Sequence, residues 1–146
     1  MIKNERIIID TNILVYSKIK SNPFYQITFN KFFELFVDNQ IFLSRQIIRE
    51  YLSVMTKPDN LKYPISIQDL IKDIIYFKEN LIILDENEKI MSNLLDLIVA
   101  YNVKGKQIHD ANIVATMLAN NIKNLFTHNV KDFERFSSLI NIIHLD

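Results

Sequence analysis

Only one glycine, Gly105, stands in 146 residues, and that scarcity removes whole classes of fold and chemistry. A P-loop, a GxGxxG dinucleotide turn and a GxSxG nucleophile elbow each need at least two glycines where backbone must turn tightly or approach a ligand. Cysteine is absent, which also removes disulfides, thiolate zinc sites, iron–sulfur ligation and thiol nucleophiles. That composition suits a reducing compartment. What remains must build its site from oxygen and nitrogen side chains.

Short apolar runs alternate with helix-periodic stretches along the chain. Ile7-Ile8-Ile9 is β-branched and continuous, as a strand buried on both faces of a sheet requires. Ile41–Leu43, Leu81–Leu84, Asn124–Thr127 and Asn141–Leu145 read as four further strands. Helices are expected from about Pro23 to Val37 and from Gln46 to Met55, the second capped by Ser44 with Pro58 just beyond its end. More follow from Ser66 to Lys78, from Glu88 to Val103 and from Ile108 to Asn120, with a short piece at Lys131–Phe136. Lys104-Gly105-Lys106 is the expected stop of the Glu88 helix. This order predicts an α/β domain with a mostly parallel sheet of about five strands. At 146 residues it is a single domain spanning 1–146.

Seventeen basic and seventeen acidic side chains balance to zero net charge, so the chain is no polycationic nucleic-acid coat. A nucleic-acid substrate would be steered by a local patch, and Arg45, Arg49, Lys57, Lys104, Lys106, Lys131 and Arg135 are its candidates. No apolar run approaches the ~18 residues of a membrane span. The opening residues lack a signal peptide's apolar core. A soluble, cytoplasmic protein with no membrane partner is expected.

In open α/β sheets, ligands bind beyond the carboxyl ends of the strands. After Ile7–Ile9 come Asp10-Thr11-Asn12. After Leu125-Phe126 come Thr127-His128-Asn129 and then Asp132. Glu50 and Asp110 interrupt the apolar patterns of two helices. Each acid alone has a plain structural role open to it, as strand end, solvated helix residue or helix cap. The histidines likewise read as strand-end or capping residues: His109 beside Asp110, and His128 and His144. The stripe Phe29, Phe32, Phe33 and Phe36 reads as core or protein interface.

Taken together, the four acidic segments resemble a known signature. Ile8-Ile9-Asp10-Thr11-Asn12-Ile13-Leu14-Val15-Tyr16 is similar to the opening motif of PIN-domain ribonucleases. Arg49-Glu50-Tyr51, His109-Asp110-Ala111-Asn112-Ile113-Val114-Ala115-Thr116 and Thr127-His128-Asn129-Val130-Lys131-Asp132-Phe133 resemble its later motifs, in order. The length also resembles the VapC-type toxins of type II toxin–antitoxin systems. That resemblance implies a three-layer α/β/α domain and a metal-dependent endoribonuclease. Asp10, Glu50, Asp110 and Asp132 would be its catalytic and metal-binding acids, and Thr11, Asn12, Thr127 and Asn129 its substrate-positioning residues. It implies Mg2+ as cofactor, with Mn2+ the alternative, an RNA substrate, a small antitoxin partner and a homodimer whose candidate interface is the apolar surface of the early helices. Asn129 replaces an acid found there in some members, which favours one metal over two.

Elementary electrostatics agrees with a cation. Two carboxylates about 5 Å apart repel by roughly 3 kcal/mol at an effective dielectric of about 20, and a hard divalent ion with oxygen ligands relieves that. Other readings fit less well. A haloacid-dehalogenase-like phosphatase needs an acid where Asn12 stands, and a receiver module needs an acidic pair near the first strand that is missing. A catalytically silent PIN-fold interaction module and an RNA-processing nuclease outside any toxin–antitoxin pair remain as alternatives.

Overall fold

Ile7, Ile8 and Ile9 are fully buried in the computed structural model, which describes residues 2–57 and 65–145. They belong to β1 (Arg6–Ile9), the central strand of a five-stranded sheet in the order β3-β2-β1-β4-β5. The others are β2 (Gln40–Ser44), β3 (Ile82–Leu84), β4 (Asn124–Phe126) and β5 (Asn141–Ile143). Every pairing is parallel, so "mostly parallel" becomes wholly parallel. Ile7 is opposite Ile41 on one side and Asn124 on the other, and Ile8 is opposite Phe42 and Leu125. A strand covered on both faces has no solvent side, hence the unbroken apolar run.

Seven α-helices occur among the described residues: α1 (Thr11–Tyr16), α2 (Tyr25–Asp38), α3 (Arg45–Met55), α4 (Ile67–Asn80), α5 (Glu88–Tyr101), α6 (Gln107–Ala119) and α7 (Val130–Phe133). Helices α1 to α4 pack among themselves, as do α5 to α7, giving the expected three-layer α/β/α arrangement. From β1 the chain builds β2 and β3 to one side, then crosses to build β4 and β5 on the other. That reversal leaves a crevice at the carboxyl ends of β1 and β4.

Several element ends differ from expectation for local reasons. Helix α1 is not among the elements that periodicity predicts, because six residues are too few to show a period. It starts where the Asp10 carboxylate accepts the Thr11 N–H at 2.8 Å. Pro23 lies outside α2, since the Asn22 side chain accepts the Phe24 N–H and turns the chain first. Helix α5 stops at Tyr101, not Val103, because Asn102 takes the left-handed conformation with φ 52° and ends it. Gly105, also left-handed at φ 60°, shapes the turn into α6. The phenylalanine stripe is split: Phe32 is partly buried against the core, Phe29, Phe33 and Phe36 are exposed, and α2 fully buries Leu35 and Thr28. Pro58, the expected residue beyond α3, lies outside the described residues.

Candidate active site

Asp10 ends β1 at the switch point and is almost wholly buried, with 6% of its surface exposed. Three donors hold its carboxylate. The Thr11 N–H reaches one oxygen, and the Thr127 hydroxyl (2.7 Å) and the Asn12 amide (3.2 Å) reach the other. Thr127, directly after β4, also accepts the Asn129 N–H at 3.0 Å. The Asn12 carbonyl oxygen accepts the His128 N–H at 3.1 Å. These bonds tie the loop after β1 to the loop after β4, the two strand ends that the register places side by side.

Glu50 comes to the same place from α3, whose first turn is fixed by Ser44 accepting the Ile47 N–H at 3.2 Å. The Thr11 hydroxyl donates to one Glu50 oxygen at 2.8 Å. The other accepts from Gln46 at 2.9 Å. Gln46 is itself buried, donates to the His109 carbonyl at 2.8 Å and accepts from the Asn112 amide at 2.7 Å. Gln46 and Asn112 thus lock α3 to α6, and sequence reasoning gave neither a role. A glutamine one turn before a helical glutamate was the available signal, but its third partner comes from 63 residues away.

Asp110 lies in the first turn of α6 and is partly buried. Burial, followed by the charges of Asp132, Asp10 and Glu50, pushes its carboxyl up to about 7, against the pull of Arg135. Burial also raises Asp10 to about 6; hydrogen bonds from Thr127 and Thr11 oppose this and the Glu50 charge adds to it. Asp110 therefore feels the charges of Asp132, Asp10 and Glu50, and Asp10 feels that of Glu50. Asp132, on α7, is exposed; Asn129 is exposed and engages Thr127 through its backbone.

Of the expected cations, Arg135 faces Asp110. Arg45 and Arg49 are instead engaged by Asp85 (2.7 Å) and Glu86 (2.8 Å) in the loop after β3. The sequence pattern did not reveal this neutralisation, because the partners are 40 and 37 residues away.

The donor set is one of carboxylate oxygens, and the Asp10 and Asp110 carboxyls have a raised affinity for a proton, a chemistry that suits a hard cation. Among the described residues no three acidic or histidine side chains form a ready-made cage.

The chain matches the family model "PIN domain" over residues 7–139. No curated protein is similar enough in sequence to match it. Among solved structures it is similar to VapBC2 from Rickettsia felis bound to a promoter DNA fragment, at 23% identity and TM-score 0.71, covering 97% of this chain and 99% of that one. VapBC-1 from nontypeable Haemophilus influenzae is similar at 22% identity and TM-score 0.68, covering 96% and 98%. VapC20 of Mycobacterium tuberculosis, a sarcin-ricin loop cleaving toxin, is similar at 11% identity and TM-score 0.64, covering 82% and 86%.

Proposed function

The chain belongs to the PIN domain family, and from that premise we propose that it is a divalent-cation-dependent endoribonuclease, the toxin of a toxin–antitoxin pair. The observation that carries this reading is the linkage of Asp10 and Glu50 through Thr11, whose N–H binds one and whose hydroxyl binds the other, with Asp110 near enough to feel both charges and that of Asp132. Carboxylates that are partly buried and close in this way are relieved by a bound cation.

Asp10, Glu50 and Asp110 hold the cation, directly or through water, and Asp132 is the weaker fourth ligand. When bound, magnesium or manganese supplies Lewis-acid stabilisation of the charge that develops on the scissile phosphate. Thr127 and the Thr11 N–H orient Asp10, and Thr11 and Gln46 orient Glu50, so the carboxylates present fixed lone pairs. Asn12 holds the β1 and β4 loops together and, with Asn129, lines the approach for substrate. Arg135, facing Asp110, is the cation best placed to meet a phosphate.

An antitoxin covering the cleft and a homodimer complete the reading. No helix among the described residues is long and apolar enough to cross a membrane, in keeping with a cytoplasmic site of action on RNA.

The test is cleavage of total cellular RNA by the purified protein in magnesium, manganese or EDTA, beside Asp10→Asn. Cutting that needs metal and is lost in the variant is expected. Folded, partner-free protein that leaves RNA intact would instead make the chain an interaction module. RNA cleavage without growth arrest on expression would assign it to RNA processing.

A further inference from the structure

Beside the acids stands a group of rings that the proposed chemistry does not use. Tyr16 ends α1, Phe24 precedes α2 and His128 follows β4. Tyr16 and Phe24 are stacked with centroids 5.4 Å apart and planes at 26°. His128 meets Phe24 at 4.5 Å, tilted 47°, and Tyr16 edge-on at 5.5 Å. The group adjoins the cleft by two independent links. The His128 N–H is held by Asn12, which also holds Asp10, and Tyr16 is near enough for the Asp10 charge to raise its hydroxyl pKa, after burial.

The rings are not sealed into the core. Phe24 is 38% exposed and Tyr16 and His128 are half-buried. An exposed aromatic next to a phosphate-handling site has a specific use: it adds grip on a strand beyond what charge supplies. Net charge is zero, and Arg45 and Arg49 are already engaged by Asp85 and Glu86. A nucleobase stacked on an aromatic ring gains affinity without any cation. Only an unpaired base can present its face this way, because bases in an A-form helix are stacked on one another.

We propose that Tyr16, Phe24 and His128 form a base-stacking subsite that receives one unpaired nucleobase of the RNA strand flanking the scissile phosphate. This rests on the nuclease reading above and adds the substrate class, RNA that is single-stranded at this position. Phe24 is the most exposed ring of the three, stacked on Tyr16 and flanked by His128.

The test binds short single-stranded oligoadenylates, each carrying 2-aminopurine at one position, to the cleavage-deficient Asp110→Asn protein. Stacking quenches 2-aminopurine, so one position is expected to dim on binding. Adding Phe24→Leu should abolish the quench and weaken binding roughly 5- to 100-fold, the span of a single base–aromatic stack. Phe24→Trp should retain both. In the otherwise wild-type protein, Phe24→Leu should raise KM for RNA by a similar factor and lower kcat by less. If Phe24 serves only to pack the loop, Phe24→Leu lowers the melting temperature and leaves quench and KM as they were, which overturns the subsite. Should Phe24→Leu not fold, an unquenched 2-aminopurine at every position in the Asp110→Asn protein overturns it equally. Wild-type protein that cuts no RNA overturns the nuclease reading, whereas cutting without a Phe24-dependent quench removes only the subsite.

Discussion

Asp110 feels every other acid of the cleft, and its behaviour with pH follows from that. A carboxyl whose folded pKa lies above its unfolded value holds its proton more tightly when folded, so ionising it costs stability. With an ordinary value of 3.8 and a folded value of about 7, its contribution is most favourable below about pH 4 and is lost as pH rises towards 7. Asp10, raised from 3.8 to about 6, adds the same trend over a narrower window. In EDTA the protein should therefore melt higher at pH 5 than at pH 8, and magnesium should restore stability at pH 8 by binding the folded state. Asp110→Asn should abolish cleavage yet raise metal-free stability at pH 8 by roughly 1–3 kcal/mol. Thermal melts at both pH values check this, and a variant that melts lower at pH 8 or still cuts RNA would contradict it. The four acids were legible as residues because they interrupt apolar runs or follow them. Gln46 and Asn112 were not, since their meaning lies in bonds to each other and to the His109 carbonyl across two helices.

Among the elements, α3 has the clearest dependence on one residue. Its start rests on Ser44, whose hydroxyl accepts the Ile47 N–H, and Glu50 rides on the same helix. Ser44→Ala should cost about 1 kcal/mol of stability, while Gln46 and Thr11 keep Glu50 in place, so cleavage at 25 °C should change little. Chemical denaturation and RNA cleavage assays measure the two separately. The long helices were legible because their apolar pattern repeats over enough residues to be periodic, and the buried strands because their apolar runs are continuous. Helix α1 was not, being six residues long and nucleated by a carboxylate that also belongs to the site. The end of α5 was misplaced by two residues because Asn102, not Gly105, takes the first left-handed position. Asparagine tolerates that conformation less conspicuously than glycine advertises it.

At the scale of the molecule, apolar surface is uncovered in several places among the described residues, the row Ile67, Ile71 and Ile75 of α4 included. Phe29, Phe33 and Phe36 of α2 line a groove with Tyr76 and Phe77 of α4, and Met91, Leu95 and Val99 form an exposed row on α5. Exposed patches of this kind mark association surfaces. The proposed homodimer and antitoxin need two such faces. Light scattering at micromolar concentration should give twice the 17.3 kDa chain mass. Phe33→Asp and Val99→Asp should then distinguish the α2 and α5 faces, the one at the dimer seam returning the protein to monomer mass. Monomer mass for the unaltered protein would remove the dimer.

The amino-acid order by itself determined the α/β class, the five strands and the five long helices. Those properties are local: a buried parallel strand needs a continuous apolar run, and a helix needs its 3.6-residue period. Tertiary structure decided what depends on which strands become neighbours. The β3-β2-β1-β4-β5 order brings Thr127 to Asp10, packs α3 against the first turn of α6, and sets Asp85 and Glu86 against Arg45 and Arg49. It also places three rings from three segments beside the cleft. Contacts between residues 37 to 117 positions apart leave no period in a sequence, because chain entropy hides them until the sheet has formed.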